Sequence, residues 1–260
     1  MSVTEKYEHQ TLSGLRLKIA AEVQEGRHHV GGVPFAVAVT SDGGIAIGLC
    51  DGTSDWGDGR QGSRVAVSTM VSMMIPDADD PGQRLSDAMQ LGGMKMCQTN
   101  SGEGWPEDFP PSCVAAMLYI RDHSAHVAWI GDGPVFSVRG KEVEEKTRRH
   151  LLVEQLIADG HLTREQARDW PHRTVLTRVL GGHEPNEAPP SVPETIGPFE
   201  LVRGDMILLC YRRVASAFEV AALPGLIVGA APEAAVAKLL DTAARVDQIV
   251  ETAAIVVAVS

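Results

Sequence analysis

Hydrophobic and polar residues alternate along several short stretches of this chain, and that alternation predicts strands. Residues 15–23 (LRLKIAAEV), 33–40 (VPFAVAVT) and 45–50 (IAIGLC) carry it. Between the last two lies Ser41-Asp42-Gly43-Gly44, whose Asp-Gly step supplies the positive φ angles of a tight turn, so the two stretches read as a hairpin. Further strand signals stand at 113–120, 126–130 and 135–138, then at 201–202 and 206–211 around Gly204-Asp205, and finally at 253–259 (AAIVVAV), a fully buried closing strand. Helical spacing marks 63–75 and 81–97; the second has Asp79 or Asp80 as its N-cap and a weak point at Gly92-Gly93. A helix at 151–159 ends at Gly160, Thr163-x-x-Gln166 is a capping box opening another, and 231–246 is helical. Residues 183–198 hold five prolines and read as a loop. Strands arrive mainly as hairpins rather than βαβ units, which argues for an α+β fold with antiparallel sheets and helices outside.

Composition narrows the picture. With 260 residues, 44% hydrophobic and 22% charged, the chain is globular and can bury a sizeable core. It reads as a single domain over 1–260, with 1–14 a flexible N-terminal segment. Acidic residues outnumber basic ones 34 to 23, a net charge of −11 that argues against general nucleic-acid binding. The same excess suits a metal-using enzyme, because hard cations take carboxylate ligands. The opening MSVTEKYEHQ lacks an apolar stretch of signal-peptide type, and no apolar run approaches the roughly 20 residues that span a bilayer. A cytoplasmic protein without membrane partners is expected. Cys50, Cys97, Cys113 and Cys210 form no C-x-x-C pair, and three sit in strand-like runs, so buried reduced thiols are expected.

Most chemical motifs read as structure. Gly57-x-Gly59-x-x-Gly62 matches the dinucleotide fingerprint in letters, but six residues separate it from Cys50 and the preceding strands form a hairpin. Arg203-Gly204-Asp205 is a turn between strands, and the neighbours His28 and His29 would point to opposite sides of an extended backbone. No G-x-S-x-G element is present. Asp51-Gly52, at the end of an apolar strand, and Asp132 within Ile130-Gly131-Asp132-Gly133 are the best candidates, because a strand end holds a carboxylate rigidly on the loop side.

Taken in order, the pieces resemble the metal-dependent serine/threonine phosphatases of the protein phosphatase 2C type. Leu49-Cys50-Asp51-Gly52 is similar to that family's A-D-G strand end, Trp129-Ile130-Gly131-Asp132 to its N-x-G-D-S-R segment, and Thr147-Arg148-Arg149-His150 to its T-x-D-H. The run from Leu152 through Gly160, Leu162-Thr163 and His172-Arg173 to Leu176-Thr177-Arg178-Val179-Leu180-Gly181 follows the family pattern most closely. Gly204-Asp205-Met206-Ile207-Leu208-Leu209-Cys210 resembles G-D-x-x-L-L-C, and 255–259 resembles the last strand after D-N-x-T. The resemblance implies a central antiparallel β-sandwich flanked by helices on both sides, a four-layer α-β-β-α arrangement. It also implies two manganese or magnesium ions that activate water against a phosphoserine or phosphothreonine.

The departures from that pattern fall on charged positions. The family's R-x-x-N-E-D corresponds to His29-Val30-Gly31-Gly32-Val33-Pro34, its S-D-G to Tyr211-Arg212-Arg213, and its D-N to Glu251-Thr252. The aspartate of T-x-D-H is replaced by Arg149. Asp51 alone stands unchanged among the four usual metal carboxylates. The expectation is a catalytically inactive phosphatase-like domain serving as a binding or regulatory module, with a protein partner such as a phosphoprotein or kinase. His29, Arg149, Arg212 and Arg213 are then the expected anion or partner contacts, in a locally basic site where Arg212 pairs with Asp51, with Glu251 as a further candidate partner. No cofactor is expected. The alternative is an active phosphatase that holds manganese or magnesium through Asp51, Gly52 and Glu251, with Asp51 and Asp132 as residual catalytic candidates and Asp55 and Asp58 in support.

Overall fold

The computed structural model of the chain describes residues 2–24, 34–53, 59–76, 79–99, 111–182, 191–246 and 251–260. The strands are β1 (Ser2–Gln10), β2 (Arg16–Gln24), β3 (Phe35–Val39), β4 (Ile45–Gly52), β5 (Ser112–Arg121), β6 (Ser124–Ile130), β7 (Val135–Arg139), β8 (Glu142–Glu145), β9 (Leu180–Gly181), β10 (Glu194–Glu200), β11 (Met206–Cys210) and β12 (Thr252–Val259). The helices are α1 (Gly59–Met73), α2 (Pro81–Thr99), α3 (Leu152–Ala158), α4 (Arg164–Arg168), α5 (Arg212–Ala215), α6 (Leu223–Ile227) and α7 (Pro232–Val246). One sheet runs β1-β2-β12-β11-β7-β8 and the other β10-β6-β5-β4-β3, with β9 beside β5. Every named pairing is antiparallel.

Side-chain alternation makes the layers. Leu17, Ile19 and Ala21 of β2 face Ile45, Ile47 and Leu49 of β4 across the sandwich interior. The opposite face of β4, with Ala46 and Cys50, packs with Met117 against Val67, Met70 and Met89 of α1 and α2. On the other outer face, Ala20, Leu208 and Val256 pack under Leu239 and Leu240 of α7. The result is the expected α+β sandwich with four layers, α-β-β-α. Among the described residues no helix is long and apolar enough to cross a membrane.

Local chemistry sets several boundaries as expected. Asp80 caps α2, its Oδ1 accepting the Gln83 N–H at 3.0 Å, and the Thr163/Gln166 capping box opens α4. Gly92 does not weaken α2. A Cβ there would lie 2.5 Å from Met70 Cγ and 2.8 Å from the Ala66 carbonyl oxygen, so the glycine lets α2 approach α1 closely.

Three stretches differ from expectation, and each involves an edge strand. Residues 1–14, expected to be flexible, instead supply β1, which pairs with β2 along its whole length. Its side chains are mostly exposed, so a polar sequence is tolerated, while Tyr7 packs on the core. Glu142–Glu145, where the sequence predicts no strand, is the edge strand β8. Glu194–Pro198, read as loop, belongs to edge strand β10, where proline is tolerated because only one side of the strand is paired. Leu201 and Val202 lie outside any strand, although Leu201 is buried in the core.

Candidate functional site

Four strand ends meet at one end of the sandwich. Asp51 closes β4 on the same side as Ile47 and Leu49, so the pleat aims it toward the gap between the sheets. Asp132 follows β6, Arg212 follows β11, and Glu251 precedes β12. The buried Tyr211 ties the sheets together here, donating its hydroxyl to the Cys50 carbonyl oxygen at 2.9 Å. A sharp turn aims Asp132: Gly131 has φ +92°, and a Cβ there would lie 2.1 Å from Val114 Cγ1.

Residues 147–150 strap that turn down. The Gly131 N–H donates to His150 Nδ1 at 3.0 Å, and the His150 N–H donates back to the Gly131 carbonyl at 2.8 Å. The Thr147 hydroxyl accepts the Val135 N–H at 3.0 Å, and Trp129 Nε1 donates to the Arg148 carbonyl at 2.8 Å. Thr147 and His150 are therefore buried structural residues, whereas Arg148 between them is exposed. His150 Nε2 lies 3.2 Å from Glu194 Oε1. Burial holds the imidazole pKa below its ordinary value, Glu194 opposes this, and the Arg178 and Arg148 charges reinforce it.

The ion pairing differs from expectation in one respect. Arg212 does not pair with Asp51: its Nε lies 2.7 Å from Asp132 Oδ2, a carboxylate that is 10% exposed. Helix α5 begins at Arg212, and the turn into it sends the side chain toward the β6 end. Acids and arginines meet around Asp51: Asp132 and Glu251 act on it from one side of the charge balance, Arg213 and Arg212 from the other. Burial, then Asp132 and Glu251, push the Asp51 carboxyl up to about 7, while Arg213 and Arg212 pull it back. The Asp132 carboxyl is also raised, by burial, against the opposing charges of Arg212 and Arg149. Arg149 makes its own ion pair with Glu145, Nε to Oε1 at 3.1 Å. Of the other expected contacts, His29, Asp55 and Asp58 lie outside the described residues, and Gly52 pairs with Cys113 of β5.

The described donors fit two hard cations poorly. Such ions want six or more oxygen ligands between carboxylates and water. Here a guanidinium already engages Asp132, and a second sits close enough to act on Asp51. At about 4 Å and an effective dielectric near 20, each pair of like unit charges costs about 4 kcal/mol. Among the described residues, no three His, Cys, Asp or Glu side chains converge as a ligand set. Sequence reading missed the Arg212–Asp132 pair. The signal was the basic residue standing directly after an apolar strand, but nothing in the sequence names which carboxylate it meets.

No family model matches the chain. Protein phosphatase PhpP of Streptococcus pneumoniae is 26% identical over 175 residues, covering 66% of this chain and 68% of PhpP. The serine/threonine phosphatase of S. agalactiae superposes with a TM-score of 0.78 at 19% identity, over 94% of this chain and all of that one. This chain is similar in sequence and fold to protein phosphatase 2C-type serine/threonine phosphatases. The catalytic domain of PstP, solved in complex with two manganese ions, also shares the fold, with a TM-score of 0.72 at 20% identity over 94% and 99% of the two chains. Within the phosphatase 2C frame the carboxylate cluster lies where the resemblance put its A-D-G and G-D segments. The segment resembling S-D-G is the start of α5.

Proposed function

We propose that this chain is a cytoplasmic phosphatase-like regulatory domain that binds a protein partner, a phosphoprotein or a kinase, without two-metal phosphoester hydrolysis. One observation carries the reading: the Arg212 guanidinium lies 2.7 Å from Asp132, within the carboxylate cluster where the related enzymes would need cation ligands. An arginine there serves as a covalently attached counter-ion. It satisfies a buried carboxylate with charge-assisted hydrogen bonding and repels further cations. Arg149, Arg212 and Arg213, already engaged within the chain, would have to exchange those interactions to meet an anionic partner.

A second reading is an active manganese- or magnesium-dependent phosphoserine/phosphothreonine phosphatase using Asp51, Asp132 and Glu251. The sequence likeness to PhpP, and the manganese bound by the related PstP, favour it. Calorimetric titration with manganese, run beside turnover of p-nitrophenyl phosphate, separates the two. The regulatory reading expects neither stoichiometric heat nor turnover in the wild-type chain, with manganese binding gained in Arg212→Asp. Micromolar stoichiometric binding, with turnover abolished by Asp51→Ala, establishes the second reading instead.

A further inference from the structure

We propose that Cys50 and Cys113 form a thiol pair which a small peroxide oxidises to an intramolecular disulfide, a modification site at the strand end that carries Asp51. Their Sγ atoms lie 2.9 Å apart, and both residues are fully buried. Cys50 stands opposite Ala115 and Cys113 opposite Gly52, so the two cysteines are diagonal neighbours across β4 and β5. Both side chains belong to the apolar layer beneath α1 and α2. A thiol is a weak donor and a weak acceptor, so the contact contributes little as a hydrogen bond. A disulfide needs the sulfurs about 1 Å closer, at roughly 2.05 Å.

The chemistry balances with hydrogen peroxide as oxidant. One thiol loses its proton and attacks a peroxide oxygen; the O–O bond breaks, leaving a sulfenic acid and water. The second thiol attacks the sulfenic sulfur; the S–S bond forms, the S–O bond breaks, and the departing hydroxide takes the thiol proton as a second water. Two electrons pass from the two thiols to the peroxide. Both thiols are sealed from solvent, so the first step is slow and open only to small uncharged oxidants. The second is fast, because the partner sulfur is already in contact. The cross-link fixes the register of β4 on β5 one residue before Asp51, at the residue whose carbonyl receives the Tyr211 hydroxyl. It does not depend on whether the carboxylate cluster hydrolyses phosphoesters.

The test treats the wild-type chain with hydrogen peroxide, then unfolds it in N-ethylmaleimide and maps its peptides. The expected result is loss of two of the four alkylatable thiols, reversed by dithiothreitol, with the Cys50 peptide joined to the Cys113 peptide. Cys97, the partly buried thiol, is the accessible competitor, so Cys97→Ser should give the same linkage. The oxidised chain should also unfold at a temperature several degrees higher. Linkage through Cys97 or Cys210, cross-links between chains, or retention of all four thiols under peroxide overturns the proposal.

Discussion

Strand β4 has an aspartate near each end, and the two behave in opposite ways. Asp42, in the turn that leads into β4, accepts hydrogen bonds from the Thr40 and Tyr119 hydroxyls and from the Gly44 N–H, and pairs with Arg121 at 3.1 Å. Burial alone would raise its carboxyl, but these partners outweigh it and bring the pKa down to about 2. Asp51, nine residues later, meets two other carboxylates and is pushed up to about 7. The first carboxylate is satisfied by its surroundings and holds a hairpin. The second is buried among like charges, so the fold disfavours its ionised form.

The contrast depends on Arg212 neutralising the Asp51 end, and removing it should give the largest effect. Arg212→Ala leaves Asp132 buried beside two other acids without its 2.7 Å partner. Breaking a buried pair from one side costs about 3–5 kcal/mol, and the 30% exposure of the arginine side chain places the expected loss near the lower bound, about 3 kcal/mol. Urea denaturation measures it, and a loss under about 1 kcal/mol would show that the pair carries no structural weight. Arg212→Asp removes the same partner while adding a ligand, so manganese should recover part of its stability.

At the other end, Asp42→Ala removes an acceptor from Tyr119, Thr40 and Gly44 together. Hydrogen bonds to a charged group contribute about 1.5–3 kcal/mol, so a loss of about 2 kcal/mol in the same denaturation is expected. Asp51→Asn should go the other way and stabilise the chain by about 1 kcal/mol at pH 8 in chelator, because it deletes a like charge from the cluster. A destabilising Asp51→Asn would mean that the carboxylate is satisfied after all and that the two ends of β4 are alike.

This difference was only partly legible in the sequence. The Asp42 turn, the Asp80 cap and the Thr163 box are written in neighbouring residues, so local chemistry reveals them. The position of Asp51 was readable too, because the apolar run before it marks a buried strand end. Which charge Arg212 meets depends on four strand ends separated by up to some two hundred residues, and no local pattern encodes that convergence. The edge strands β1, β8 and β10 were missed for a related reason. Their polar sequences give up the core-facing alternation, and pairing with β2, β7 and β6 supplies the order instead.

The smallest effects, and the sharpest test of the contrast, lie in the pH dependence of stability. Asp42 has a folded pKa below its unfolded value, so its contribution is complete above about pH 4 and is lost as pH falls toward about 2. Asp51 has a folded pKa above its unfolded value. Its folded form binds the extra proton between about pH 4 and 7, and stability falls as pH rises through that window. His150, with a lowered pKa, acts oppositely: below about pH 6.5 the unfolded imidazole binds the proton first, so acid weakens the fold. The wild-type curve sums these, and only differences between variants separate them. Subtracting the Asp51→Asn curve from wild type should leave a slope that is negative from pH 4 to 7. Subtracting Asp42→Asn should leave a positive slope confined to the region below pH 4. If both differences rise with pH, the two carboxylates are both satisfied by folding, and the Asp51 end has no strained cluster for a cation, an arginine or a partner to relieve.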